Sequence, residues 1–220
     1  MRGFKTEGII LKRKNFGEAD RILTVFTLSR GKISVVAKGV RRVTSRRSGN
    51  VELLNRVSMF LYQAKGLPIL TEAESLDTYP KIKMDLRLST YAYHIIELID
   101  KLTAENQENR SLYTELIEVL RRLEKNPRQI LIRSFEAKIL SNLGFISFKS
   151  LGVNVIHLPG GLGRHLGKLL EDLENKNWDE IEKMRLDQKQ ALELERILRY
   201  HLERVIEGPL RSRKFLKDGR

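Results

Sequence analysis

The chain has 220 residues, of which 41% are hydrophobic and 31% charged; this is globular composition and excludes a disordered or collagen-like chain. Cysteine is absent, which removes disulfides, thiolate nucleophiles, iron–sulfur clusters and every cysteine-containing zinc site. Lysine and arginine number 41 against 28 acidic residues, a formal charge of +13 that favours a polyanionic partner such as nucleic acid over general solubility.

At roughly 100–200 residues per domain the chain holds one domain or two small ones. No apolar run approaches the roughly eighteen residues of a membrane helix, and the N-terminus MRGFKTEGIILKRKN lacks a signal-peptide core, so a cytoplasmic protein with no membrane partner is expected.

Residues 1–80 carry fifteen Lys/Arg against seven Asp/Glu, so the positive charge is concentrated at the front. The same stretch shows period-two alternation at 8–11, 21–28, 32–37, 57–62 and 67–70, punctuated by Gly17, Ser29-Arg30-Gly31, Gly39 and Gly66. Five short strands over about 75 residues predict a small closed sheet, a five-stranded barrel.

After Tyr79-Pro80 the period becomes helical. Leu88, Tyr91, Ala92, Ile95, Ile99 and Leu102 share one face, as do Leu112, Leu116, Ile117, Leu120 and Leu123. Asn126-Pro127 reads as a cap and first helical residue, leading into Ile130, Leu131, Phe135, Ile139, Leu140 and Leu143 before Gly144 stops the helix. Asp187 with Gln190 opens a last helix, closed by Gly208-Pro209. The expected organisation is therefore α+β: a nucleic-acid-binding barrel at 1–80 and a mostly helical domain at 81–220. A Gly-rich insert at 144–167 contains one strand-like run at 153–156.

The sharpest local feature is the run Lys38-Gly39-Val40-Arg41-Arg42-Val43-Thr44-Ser45-Arg46-Arg47-Ser48-Gly49-Asn50, with no acidic residue until Glu52. Following a strand and rich in Gly, Ser and Thr, it predicts an exposed loop. Lys38, Arg41, Arg42, Arg46 and Arg47 are phosphate-contact candidates that supply affinity without base specificity; the plain alternative is a solvated loop. Lys12, Arg13 and Lys14, placed after the first strand, extend the patch. Arg211, Arg213 and Lys214 form a second basic cluster, or a tail packed on the helical domain. Single-strand binders on small barrels add aromatic platforms, and Phe4, Phe16, Phe26, Phe60 and Tyr62 are the candidates here. Most are expected in the core; Phe16, beside Gly17, is the one expected to be exposed.

Enzymatic arrangements fare poorly. Gly160-Gly161-Leu162-Gly163-Arg164-His165-Leu166-Gly167-Lys168 lacks the Walker spacing, with Leu162 and Leu169 where glycine and Ser/Thr belong. His94, His157, His165 and His201 lie far apart except for His157 and His165, whose spacing of eight has no carboxylate beside it to complete a hydrolytic metal site. No catalytic residue, metal, cofactor or small-molecule substrate is expected.

Glu7-Gly8-Ile9-Ile10-Leu11, the segment Gly17-Glu18-Ala19-Asp20-Arg21 through Thr27, Gly31-Lys32 and Ala37-Lys38-Gly39-Val40-Arg41-Arg42 together resemble the N-terminal region of the bacterial RecO family. The resemblance continues through Leu86-Arg87, Tyr91, Arg133-Ser134-Phe135-Glu136-Ala137-Lys138-Ile139-Leu140, Leu143-Gly144 and the tail 210–216. It implies an N-terminal OB-fold and a helical domain. It also implies binding of single- and double-stranded DNA without nucleotide hydrolysis, annealing of complementary strands, and a mediator role in recombinational repair at the nucleoid. The partners it implies are RecR and the C-terminal tail of single-strand binding protein, helping RecA load onto coated DNA. Arg133 occupies the basic place of the matching helix motif and is the expected tail-carboxylate contact.

In one respect the chain departs from the family. Many members carry a zinc site here, CxxCG and a later Cys pair; Phe148-Lys149-Ser150-Leu151-Gly152 aligns with the first and Pro159-Gly160-Gly161 precedes the second. Phe148 and Leu151 stand in place of thiolates, so apolar packing is expected to replace the metal. The competing readings are a generic single-stranded DNA- or RNA-binding OB-fold protein with no mediator role, and a metal-dependent nuclease.

Overall fold

The structure, a computed structural model, describes residues 3–63, 65–148, 164–208, 210 and 212. The chain divides into two compact units, Met1–Lys83 with Ile99–Tyr113, and Met84–Leu98 with Thr114–Arg220.

The first unit is built on β1 (Gly3–Phe16), β2 (Asp20–Thr27), β3 (Gly31–Ala37), β4 (Arg56–Tyr62) and β5 (Ile69–Asp77). They close into a barrel in the order β1-β2-β3-β5-β4, the strand order of an OB-fold, so the expected architecture is present. The pairings are antiparallel except that of β3 with β5, which is parallel and made through the single pair Val36 and Ile69. Ile10, Leu23, Val25, Ile33, Val35, Val57, Met59, Leu61 and Leu70 fill the interior.

Two strands are longer than alternation predicts. In β1 the register shifts between Ile10 and Lys12, so that Gly8, Ile9, Ile10 and Leu11 are all buried and the alternation is interrupted. The strand resumes beyond the bulge, and Lys12, Arg13 and Lys14 therefore lie within β1 rather than after it. β5 covers Ile69–Asp77 rather than 67–70 because its inward positions include the small Ala73, which gives weak hydrophobic contrast.

Residues 99–113 pack on this barrel. Phe26, paired with Ile9 on the outer face, meets the Tyr113 ring at 6.1 Å between centroids. The Lys32 carbonyl accepts from the Asn106 N–H at 2.8 Å, and Lys32 Nζ donates to the Asp100 carbonyl at 2.5 Å. Gly31 has φ +62°, and a Cβ there would sit 1.8 Å from the Gln107 carbonyl oxygen, so only glycine fits.

The helices are α1 (Pro80–Met84), α2 (Leu86–Leu102), α3 (Arg110–Lys125), α4 (Gln129–Asn142), α5 (Arg164–Asn175), α6 (Trp178–Lys183) and α7 (Gln188–Ile206). In the second unit α4 is buried on nearly every face and packs against α5, α6 and α7. Asp187 and Gln190 form the expected capping box at the start of α7, and Gly144, with φ +76°, follows the end of α4. Asn126 is not the cap of α4. The N-cap is Arg128, in extended conformation and without a side-chain cap, so Asn126-Pro127 is linker. At the end of α7, Glu207 takes the left-handed position ahead of Gly208. Residues 164–167, expected within the insert, begin α5; the strand-like run at 153–156 lies outside the described residues.

Candidate nucleic-acid interface

Gly39, at φ +64°, turns the chain out of β3 into the basic loop. Its N–H donates to the Asp20 carboxylate at 2.7 Å, the Arg41 N–H donates to the Ala19 carbonyl at 2.9 Å, and Arg41 Nη1 donates to the Gly17 carbonyl at 3.2 Å. These bonds join the turn at 17–20 to the loop at 38–42.

The far side of the loop is fixed to β5. Arg47 Nη1 donates to the Leu70 and Thr71 carbonyls at 2.7 and 3.2 Å, Arg47 Nη2 donates to the Lys38 carbonyl at 2.9 Å, and Asn50 Nδ2 donates to the Ala73 carbonyl at 2.8 Å. β3 reaches β5 through one residue pair only, so side chains of the loop supply donors where a neighbouring strand would otherwise do so.

This arrangement shapes an open groove of about 590 Å³, lined by Lys38, Arg42, Arg46 and Arg47 with Asp20, Thr44 and Ser45. Lys38, Arg42 and Arg46 are exposed, and their cationic groups carry no ion pair among the described residues. Such cations attract a phosphate backbone and release its condensed counterions. Arg41 is exposed but shares its guanidinium with Gly17, and the Arg47 guanidinium is occupied by three carbonyls. Lys12 Nζ pairs with Asp100 at 2.5 Å, and Arg13 pairs with Glu52. Lys14 is exposed and free of ion pairs among the described residues. Arg211, Arg213 and Lys214 lie outside the described residues. Asp20, the acid in the groove wall, was not singled out from the sequence; its place between Gly17 and a strand was the available signal.

Of the aromatic candidates, Phe26 is fully buried as expected, and Phe16 is 53% exposed as expected. Phe60, expected in the core, is 39% exposed. Val57, Met59 and Leu61 take the inner face of β4, which leaves Phe60 and Tyr62 on the outer one. Phe4 is half-buried against the core, with the Arg30 guanidinium 3.8 Å above its ring.

In the second unit Arg133 is 7% exposed. Its Nη1 donates to both Glu136 carboxylate oxygens at 2.9 and 2.7 Å, and its Nη2 lies 3.5 Å from Glu195. Burial works against the Arg133 cation, but Glu136 and then Glu195 outweigh it and raise its pKa. Burial likewise works against the Glu136 carboxylate, but the Arg133 charge and then His94 hold its pKa below the ordinary value. His94 joins Glu136 through Nε2 at 2.7 Å and Ser212 Oγ through Nδ1 at 3.0 Å. An ionised carboxylate only accepts, so His94 Nε2–H is the donor in this bond. Arg133 is thus part of a buried network and not a surface arginine.

The residues present do not fit the family's zinc site. Phe148 is buried, its ring edge-on to His201 at 6.4 Å, and its N–H donates to Glu174 Oε2 at 3.0 Å. Leu151 and residues 159–161 lie outside the described residues, and among the described residues no cluster of three or more metal-ligating side chains occurs. No described helix is long and apolar enough to cross a membrane.

The chain matches the family model described as Recombination protein O N terminal over residues 1–79, and that described as Recombination protein O C terminal over residues 84–146. It is 29% identical to the DNA repair protein RecO of Roseiflexus sp. (strain RS-1), an alignment covering all of this chain and 87% of the relative. It is 27% identical to that of Moorella thermoacetica, over 98% of this chain and 91% of the relative. The protein of the same name from Desulforudis audaxviator is 36% identical over 66% of this chain and 58% of the relative.

Proposed function

The chain belongs to the RecO family of DNA repair proteins, and from that premise we propose that it is a non-enzymatic DNA-binding protein that anneals complementary strands and acts as a recombination mediator. The observation that carries this reading is the groove beside the barrel, where Lys38, Arg42 and Arg46 present cations that make no ion pair among the described residues. Cations held on a braced loop screen phosphate repulsion between two strands, so that base pairing can nucleate. The chemistry is electrostatic proximity, and no covalent bond of the DNA is made or broken.

The mediator role is proposed to work through RecR and the C-terminal tail of single-strand binding protein, helping RecA load onto coated DNA. In this proposal the tail docks on the helical unit, but not through the Arg133 Nη1 atom, which Glu136 occupies.

The test is the annealing rate of two complementary oligonucleotides, each coated with the cognate single-strand binding protein. Acceleration that disappears when the coating protein lacks its tail, and that falls in an Arg42→Ala/Arg46→Ala variant, supports both activities. Tight binding to bare DNA with no acceleration, even after RecR is added, leaves a generic single-strand-binding OB-fold protein and overturns the mediator role.

A further inference from the structure

On the outer face of the β1–β2 ribbon Ile9 and Phe26 form a buried pair, Phe26 meets Tyr113, and further along the same face Lys12 pairs with Asp100. Beyond it, the strands remain paired as Lys14 with Ile22 and Phe16 with Asp20. Residues directly opposite in an antiparallel pair project to the same face, and residues two apart on one strand do so too. Phe16, Lys14 and Asp20 therefore stand on one side of the ribbon, and the Asp20 side chain reaches the Gly39 N–H in the groove wall. The adjoining backbone is tied to the loop as well, since the Gly17 carbonyl accepts from Arg41.

Phe16 thus shares a face of the ribbon with Asp20, a residue of the groove wall, and it is 53% exposed where an apolar surface gains nothing from water. Lys14, two residues away, adds a cation with no ion pair among the described residues. A phosphate-binding track beside an exposed ring is the combination that holds single strands, because every base has a face on which an aromatic ring can stack, whereas the bases of a duplex are already stacked.

We propose that Phe16 is a base-stacking platform at the edge of the groove and the residue that makes the site prefer single-stranded nucleic acid. The proposal rests on the groove being the nucleic-acid site. Lys14, Lys38, Arg42 and Arg46 hold phosphates, and one unstacked base lies on the Phe16 ring.

The test compares the full-length protein with Phe16→Ala and Phe16→Trp for binding to an oligothymidylate, to an abasic oligomer of equal length and charge, and to a blunt duplex, across a salt series. Phe16→Ala is expected to weaken oligothymidylate binding about 5- to 150-fold at every salt concentration. Binding to the abasic oligomer and the duplex stays within about twofold, and the plot of log K against log salt keeps its slope, because the lost contact is not ionic. Phe16→Trp binds oligothymidylate at least as well as the parent and its added emission is quenched on binding. Equal weakening on all three ligands, a reduced salt slope, no weakening on oligothymidylate, or an unquenched Phe16→Trp each overturns the proposal. Arg42→Ala/Arg46→Ala separates this from failure of the site itself: if that variant binds all three ligands with unchanged affinity and slope, the groove reading falls, whatever Phe16 does.

Discussion

The carboxylate of Asp20 accepts the backbone N–H of Gly39 at 2.7 Å, and this bond ties the β1–β2 turn to the first residues of the basic loop. It has two opposed effects. The acceptor holds the loop that presents Lys38 and Arg42, while its negative charge lies in the wall of the groove they line. Asp20→Asn keeps a side-chain acceptor and removes the charge, so it should tighten single-stranded DNA binding most at low salt. Asp20→Ala removes both, and should lower stability by about 1 kcal/mol in urea unfolding. Weaker binding by Asp20→Asn would contradict the account of the groove.

Arginines of the same loop should separate by role. Arg42→Ala and Arg46→Ala should each reduce the salt slope for single strands by about 0.7 while leaving the melting temperature near that of the parent. Arg47→Ala deprives three carbonyls of their donor and should destabilise the protein by about 1–3 kcal/mol. Thermal unfolding and salt-dependent anisotropy of the three variants together check the division.

Arg133→Ala should cost about 3–5 kcal/mol, because it leaves the Glu136 carboxylate buried with its main counter-charge gone. Replacing both, Arg133→Met with Glu136→Leu, should recover much of that loss. Denaturant unfolding followed at Trp178, which belongs to the same unit, reads both variants. A mild effect of Arg133→Ala would show that the pair is not as closed off as the geometry indicates.

Glu136 also sets an acid limit. Its folded pKa lies below its unfolded value, near 4.5, because Arg133 and then His94 outweigh the opposing effect of burial. The unfolded chain therefore binds the proton first. The contribution to stability is complete above about pH 4.5 and is lost as pH falls toward the folded pKa. Glu136→Gln should flatten this part of the stability profile between neutral and acid pH, measured by unfolding at a series of pH values.

Gly31→Ala should be among the most damaging single-methyl changes in the barrel unit, since the added carbon meets the Gln107 carbonyl at 1.8 Å in a left-handed backbone conformation. A loss of about 2 kcal/mol or more is expected in thermal unfolding. Gly17→Ala, where the same left-handed strain meets open space, provides the comparison and should lose less.

Much of the architecture was legible in the amino-acid order because local periodicity follows from which face of an element is buried. The two-residue period of Leu23 and Val25 and of Val57, Met59 and Leu61 marks barrel strands, and the stripes through α2 and α3 mark helices. The same rule, applied one residue out of phase, also places Phe60 outside. Where a bulge or a small inward residue broke the period, in β1 and β5, the strands ran longer than expected.

The sequence by itself determined the barrel followed by helices, the basic loop and the lack of thiolate chemistry, all of which depend on residue type and near-neighbour spacing. Only the tertiary structure decided which cations have partners within the fold. Lys12, Arg13 and Arg47 look like Lys38, Arg42 and Arg46 in the chain, yet the first three are engaged by Asp100, Glu52 and the β5 carbonyls, which lie far away in sequence. The same holds for the pairing of Arg133 with Glu195 on α7, and for residues 99–113, which return to the barrel. Charge type is a property of one residue, whereas its availability depends on a partner brought within about 3 Å by folding.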